Sequence, residues 1–386
     1  MRGALLLASV WLGYVYFGYL ALLWVWSRFC PCQPAAKTDF LPTVSVLISA
    51  HNEEKDIGWK VRETLSWDYP ADRLKVLVAS DASEDGTDEI LHSIRDPRLT
   101  VVRMRKRAGK NTALNRLAEI AKGELLFFTD ANSHVASDGL RLIVPYFADG
   151  RVGCVTGVEE NPAVASDRAV AFGGRAFLDY ESVAKNLESR VGSVLVCDGA
   201  IFCIRRSLYS EVQPDLANDL ELPLHIGHSG YWILCEPRAR SLEKGTNSVI
   251  EEFSRRRRIA AQGILGMWRL RRTLSGLRGI QFVSRKLLRW LTLVPLVMAL
   301  ASGVALRGNS LFAGFLGLQI VFYLLAIAGW LGNGSNKFTS RLFSFPFYFM
   351  LVNVAAICGL VEACLGRRFQ VWEVASLSRG RSNATV

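Results

Sequence analysis

The stretch ELLFFTDANS, residues 124–133, decides how the chain is read. Leu125, Leu126, Phe127 and Phe128 form an uninterrupted apolar run, as in a strand buried on both faces. The run stops at Asp130, and Asn132 follows two residues later. In a bend after a strand, two oxygen-bearing side chains so spaced can converge on one point. Hard cations such as Mg²⁺ take oxygen ligands in that arrangement, shared with substrate phosphates. On this stretch alone the alternative is a turn capped by its own Asx side chains.

Working outward, the pattern repeats. TVSVLISAHNEE (43–54) and KVLVASDASEDGT (75–87) are β-branched strands ending in polar residues, and LTVVRM (99–104) is a third. Between them EKDIGWKVRETLSW, DEILHSIRD and GKNTALNRLAEIAK carry apolar residues at helical spacing. Alternating strands and helices predict an α/β fold with a mainly parallel sheet and right-handed crossovers. Such sheets bind ligands beyond the carboxyl ends of their strands. His51, Asn52, Glu53, Asp81 and Asp130 all stand there, which predicts one shared crevice.

Acidic strand ends suit a nucleoside or a metal, because carboxylates accept hydrogen bonds strongly. They do not suit a bare phosphate. The cations come from RMRKRAGKNTALN: Arg105, Lys106, Arg107 and Lys110, just before a helix N-terminus. That helix end and Lys110 are placed to hold a diphosphate, with Gly109 letting the backbone come close. The alternative for the basic run is a solvated loop. Neither a GxGxxG nor a Walker A sequence is present, which argues against a dinucleotide fold or a P-loop ATPase.

The flanks differ from this middle. The 386 residues are half hydrophobic, yet Lys and Arg outnumber Asp and Glu by 46 to 35. That mixture fits a membrane protein with basic edges better than a nucleic-acid binder. Residues 3–27 are uncharged and long enough to cross a bilayer, with Trp24 and Trp26 at the end where an aromatic belt is expected. A cleaved signal peptide is the alternative, but the run is too long for one. Trp290–Leu306, Asn309–Asn336 and Leu342–Val361 are also uncharged, the first of them short. Residues 253–289 interleave Arg with Ile259, Leu265, Trp268, Leu270, Leu274 and Leu277, which predicts basic amphipathic helix on anionic headgroups, or else a solvated basic face. Arg28 and Lys37 outweigh Arg2, placing the middle domain in the cytoplasm. The basic tail prefers the same side, so one late segment is expected not to cross, and the short one fits best.

The expected layout is therefore an N-terminal transmembrane helix (1–28), a cytoplasmic domain (40–252), basic interfacial helices (253–289), C-terminal transmembrane helices (290–366) and a basic tail (367–386). Eight Cys are scattered; Cys30 and Cys32 form a lone CPC, a weak zinc signal, and Cys154, Cys197, Cys203 and Cys235 read as buried thiols.

VSVLISAHNEEKDI, VASDASEDGTDEI, GKNTALN and FFTDANS, in this order and spacing, resemble glycosyltransferase family 2 over roughly residues 42–260. The membrane-flanked plan resembles the bacterial cellulose, chitin, hyaluronan and poly-N-acetylglucosamine synthases. The resemblance implies a GT-A (nucleotide-diphospho-sugar transferase) fold and a UDP-sugar donor. It implies that Glu53, beside His51 and Asn52, contacts the uridine part, that Asp81 contacts base or ribose, and that Lys110 touches the diphosphate. Ser80 stands where an Asp is usual. Asp130 and Asn132 match the metal motif for Mg²⁺ or Mn²⁺, with a neutral Asn as the last member. Inversion needs a base opposite the leaving group. LANDLELP (216–223) matches the position of that base, which selects Asp219, with Glu221 in reserve and a helix N-cap as the alternative role. Asp198 and Gly199 match the acceptor-facing loop. Processive members carry Gln-x-x-Arg-Trp; here RRRRI puts Arg255, Arg258 and Ile259 in those places. Arg258 would stabilise the departing diphosphate. Without the Trp, a long-chain polymer synthase is less well supported.

The leading reading is a membrane-bound inverting glycosyltransferase of polysaccharide biosynthesis, a hexosyl- or N-acetylhexosaminyltransferase of the inner (plasma) membrane. It would move a sugar from a UDP-sugar to a lipid-linked or growing glycan acceptor with a divalent cation. Its partners would be donor, acceptor and membrane lipid, with no nucleic acid. A second copy or an export partner would complete a channel, because the spans are few. The alternatives are a nucleotidyltransferase and a non-catalytic nucleotide-sugar-binding membrane scaffold.

Overall fold

The computed structural model describes residues 1–29, 34, 39–160, 168–243, 248–332 and 341–367. Cys30, Cys32 and nearly all of the basic tail lie outside the described residues.

Eight strands form one mixed sheet. They are β1 Val44–Ala50, β2 Leu74–Ser80, β3 Leu99–Arg103, β4 Leu125–Phe128, β5 Ser133–Val135, β6 Val152–Glu160, β7 Phe202–Arg205 and β8 Trp232–Glu243. Their spatial order is β3-β2-β1-β4-β7-β6-β8-β5. The first four strands run parallel, with Val44 opposite both Leu74 and Leu125. β7 is antiparallel to β4 and β6, so the expected parallel sheet becomes mixed at its middle. Alternate residues feed opposite cores, as a doubly covered sheet requires. Val46, Ile48 and Phe127 pack on one face, Leu47, Leu126 and Phe128 on the other. The chain enters β4 through Gly123, where a Cβ would lie 2.5 Å from the Ser45 backbone N. This is an α/β sheet of the kind the sequence predicts, parallel through its first four strands.

A third core joins this domain to the flanking helices. Leu220 and Leu224 from the helix Asn218–His228 meet Ala260 of the helix Val249–Arg269, Trp290, and Ala356 and Leu360 of the helix Arg341–Cys364. The basic stretch expected over 253–289 is resolved into two pieces. Its first helix begins at Val249, where Ser248 Oγ accepts the Glu251 amide, and ends at Arg269. After a turn containing Gly276 at φ +60°, the chain resumes from Leu277 to Trp290. Ala260 and Gly263 of the first helix are buried against the neighbouring helices, and Trp268 is exposed.

Among the described residues, three helices, Arg2–Ser27, Ser310–Leu331 and Arg341–Cys364, are long and apolar enough to cross a membrane. The expected short segment is the second arm of a bent pair, Leu277–Trp290 and Leu293–Ala305, kinked by 56°.

Candidate active site

β1 and β2 end in neighbouring sharp turns. Asn52 and Ala82 both take positive φ (54° and 51°), a conformation Asn tolerates better than Ala. The turns brace each other: Asn52 Oδ1 accepts the Glu84 amide at 2.8 Å, and the Glu53 amide donates to Thr87 Oγ1 at 2.8 Å. His51 Nδ1 lies 2.7 Å from the Asp81 carbonyl. These bonds leave the Glu53 side chain at the mouth of a cleft that also contains His51, Asp81, Lys110, Asp130 and Asn132.

Asp81 is buried, and its two carboxylate oxygens accept the amides of Ala108 and Gly109, both at 2.8 Å. It thus ties the basic loop after β3 to the end of β2. Gly109 sits at φ +91°, a left-handed conformation that suits glycine, and the helix Lys110–Ile120 starts at the next residue. Lys110 Nζ reaches across to Asp130 Oδ1 at 2.5 Å. Burial opposes charge on Lys110, but Asp130 overrides it and holds the ammonium above its ordinary range.

Asp219 approaches from the other side. It lies in the first turn of Asn218–His228, whose N-cap is Ala217, so it does not cap that helix. Its backbone carbonyl accepts the Cys197 amide at 2.9 Å, fixing the helix to the loop before β7. A Cβ on Gly199 would stand 3.7 Å from Asp219 Oδ2 and 3.9 Å from Lys110 Nζ. The carboxylate and the ammonium therefore both border the space above the bare backbone of Gly199. Burial pushes the Asp219 carboxyl up, against the pull of Lys110. Glu221 turns away: it is buried and accepts the Gln213 amide at 2.9 Å.

Asp198 is largely occupied. Its Oδ1 is 2.5 Å from Lys185 Nζ, and its Oδ2 accepts the Glu159 amide at 3.0 Å. It braces the loop that presents Gly199. Arg258 lines the same cavity as Asp219 and Asp130. Burial and the neighbouring Arg255 lower its guanidinium to about 10.

Three residues the sequence reading passed over, Glu159, Glu243 and Lys185, complete the site, the first two around Arg255. Arg255 Nη2 stands 3.4 Å from both Glu159 Oε1 and Glu243 Oε2. Burial, then the adjacent Glu159, push the Glu243 carboxyl up to about 8. Lys185 comes from the helix Arg168–Arg190, which has no motif to mark it. The one available signal was that β6 and β8 end on carboxylates, Glu160 and Glu243.

Asp130 and Asn132 both line the cavity, and both offer hard oxygens suited to Mg²⁺ or Mn²⁺. Among the described residues, no three His, Cys, Asp or Glu gather to hold an ion unaided. The donor set therefore fits a cation that draws its remaining ligands from a bound diphosphate and water. Lys110 is flanked by two carboxylates, so this end of the cavity holds more negative than positive charge in that trio, which also suits a cation.

The family model described as "Glycosyl transferase family 2" matches residues 45–211. Those residues are a family 2 glycosyltransferase domain. A β-monoglucosyldiacylglycerol synthase from Synechocystis sp. is 32% identical over 252 residues, covering 61% of this chain and 51% of that protein. The corresponding protein of Trichormus variabilis is 28% identical over 231 residues, covering 58% and 49%. The chain thus spans about half the length of the curated relatives it matches. A mannosyltransferase from Pyrobaculum calidifontis, solved with GDP-Man and Mn²⁺, superposes with a TM-score of 0.72 at 22% identity, over 94% of this chain and 99% of that one. The family 2 domain and its flanking helices together therefore share a known fold.

Proposed function

We propose that the chain is a membrane-bound, inverting glycosyltransferase that moves a sugar from a UDP-sugar to a lipid-linked or glycan acceptor. The observation that carries this reading is that Lys110, Asp130 and Asp219 line one cavity with the residues that follow β1 and β4. His51, Asn52 and Glu53 border the donor's uridine. Asp81 acts through the loop it holds, shaping the floor under the diphosphate rather than reading the base directly. Lys110 and Arg258 face the diphosphate as it departs and stabilise the charge that develops there. Asp130 and Asn132 would hold a divalent cation, whose charge offsets that of the leaving group.

Asp219 is the general base. Its burial raises its basicity, and its position beside Gly199, near Lys110, supports that role. The acceptor oxygen attacks the anomeric carbon, its proton passes to Asp219, and the bond to the diphosphate breaks. The apolar helices and the relatives' names support an acceptor at the membrane. The domain lies in the cytoplasm of the plasma membrane in this reading, where UDP-sugars are made.

Membranes containing the protein, incubated with radiolabelled UDP-sugars and a divalent cation, are expected to incorporate one of the sugars. Chelation of the divalent cation is expected to abolish that incorporation. Incorporation that is indifferent to chelation, or UDP binding without transfer to any membrane component, would contradict the reading.

A further inference from the structure

The cavity that begins at the donor cleft does not end at Asp219. It runs on for a total of about 1960 Å³, past Lys185 and Glu181, to Lys286, Arg289 and the aromatic residues of two candidate membrane helices. Phe17 on Arg2–Ser27 and Phe345 on Arg341–Cys364 line it and are 77% and 51% exposed, so it opens where these helices would face lipid.

Charge is unevenly shared along this path. At the far end Glu181 receives three cations: Arg285 at 2.5 Å, Lys286 at 3.4 Å and Arg289 at 2.6 Å. Among the described residues Glu188 adds a second carboxylate, 2.5 Å from Arg285, and Tyr19 also donates to it at 2.6 Å. Lys185 is already matched by Asp198. Among the ion pairs of the described residues here, three cations against two carboxylates leave one positive charge over, on side chains that are largely buried. Uncompensated charge there is costly. Lys286, 3.4 Å from Glu181, has the longest of the three contacts and lines the open space. It also acts electrostatically on Asp219.

We propose that this end of the cavity seats the phosphate of a membrane-lipid acceptor, with Lys286 and Arg289 on the phosphate, the lipid's hydroxyl at Asp219 and its hydrocarbon leaving past Phe17 and Phe345. The proposal rests on the transferase reading above and narrows its acceptor. The hydroxyl oxygen forms the new bond to the anomeric carbon, its proton goes to Asp219, and UDP leaves with the electrons of the old bond. The phosphate stays intact and serves as a handle. Two sources share this chemistry: a glycerophospholipid with free hydroxyls, and a sugar carried on a prenyl diphosphate.

The test uses the full chain in a nonionic maltoside detergent. Phosphatidylglycerol, a prenyl-diphosphate-linked N-acetylglucosamine and neutral diacylglycerol are compared, first for binding by native mass spectrometry and then for transfer. One phosphorylated lipid is expected to bind at least about 10-fold more tightly than diacylglycerol, and which one identifies the source. Lys286→Gln should erase that preference and raise the acceptor KM about 10-fold, with UDP affinity unchanged and Lys286→Arg restoring both. Equal binding of diacylglycerol, or a preference that survives Lys286→Gln, overturns the phosphate seat. Because binding is read separately, preferential capture of phospholipid without transfer to it would uphold the seat and count against the transferase reading instead.

Discussion

Asp219 has one property that a surface carboxylate lacks: its proton affinity is set by burial more than by water. A general base must be ionised to act, so activity should fall as pH drops through its raised pKa. The acid limb of kcat/KM is expected above the ordinary aspartate range, as measured in a pH–rate profile at saturating cation. A limb at the ordinary value would remove Asp219 from the role. Glu243 yields a different signal. Its folded pKa, pushed up to about 8, lies above the unfolded value of roughly 4.3. The unfolded state therefore binds fewer protons between those limits, and stability falls as pH rises through that window and levels off above it. Thermal melts should show Glu243→Gln losing this decline, being relatively more stable near pH 8. An unchanged slope would contradict the assignment. Asp130, Asn132 and Asp219 were legible because each closes a strand or opens a helix within a local pattern. The Arg255 pairing with Glu159 and Glu243 was not, because its partners come from strands far apart in sequence that only the fold brings together.

At the scale of elements, the helix carrying Asp219 is seated on membrane-proximal structure rather than on the sheet alone. The seat depends on absent side chains. A Cβ on Gly263 would lie 2.1 Å from Trp290 Cη2, and one on Gly359 would lie 2.1 Å from the Arg257 carbonyl. Gly359→Ala must push Val249–Arg269 away from Arg341–Cys364, since its obstacle is backbone, and Gly263→Ala must displace a packed indole. Each is expected to cost about 1–3 kcal/mol, read as a lower melting temperature, and to slow transfer by shifting Asp219. Melting and transfer rates within error of the parent would show that the interface helix does not position the base. The strands and crossover helices of the first half were readable from periodicity alone. Two features were not. The turn of strand direction at β7 follows from tertiary pairing, and the break after Arg269 interrupts a stretch whose Arg-rich composition runs on unchanged.

For the whole molecule, apolar surface dictates behaviour. Leu318, Leu324 and Leu331 on one candidate span are all exposed, a surface that water would not tolerate. The chain should remain with membranes through an alkaline carbonate wash and be released by detergent; release by carbonate would contradict the membrane reading. With the domain in the cytoplasm, a cysteine introduced at Lys106 should react with an impermeant maleimide only after cells are opened. Labelling in intact cells would reverse the orientation. The balance of basic residues is what predicts this side, whereas composition left open how the short late segment lies, because its 56° bend arises at Trp290–Leu293, within otherwise ordinary apolar sequence.

The central claim is that a buried carboxylate across Gly199 from Lys110 takes the acceptor's proton while a UDP-sugar occupies the strand ends. Asp219→Asn keeps the shape and removes the base, so paired measurements of sugar transfer and UDP affinity on that variant test the claim most directly. The account predicts transfer reduced by at least about 10²-fold with UDP binding intact; transfer at the parent rate would contradict it.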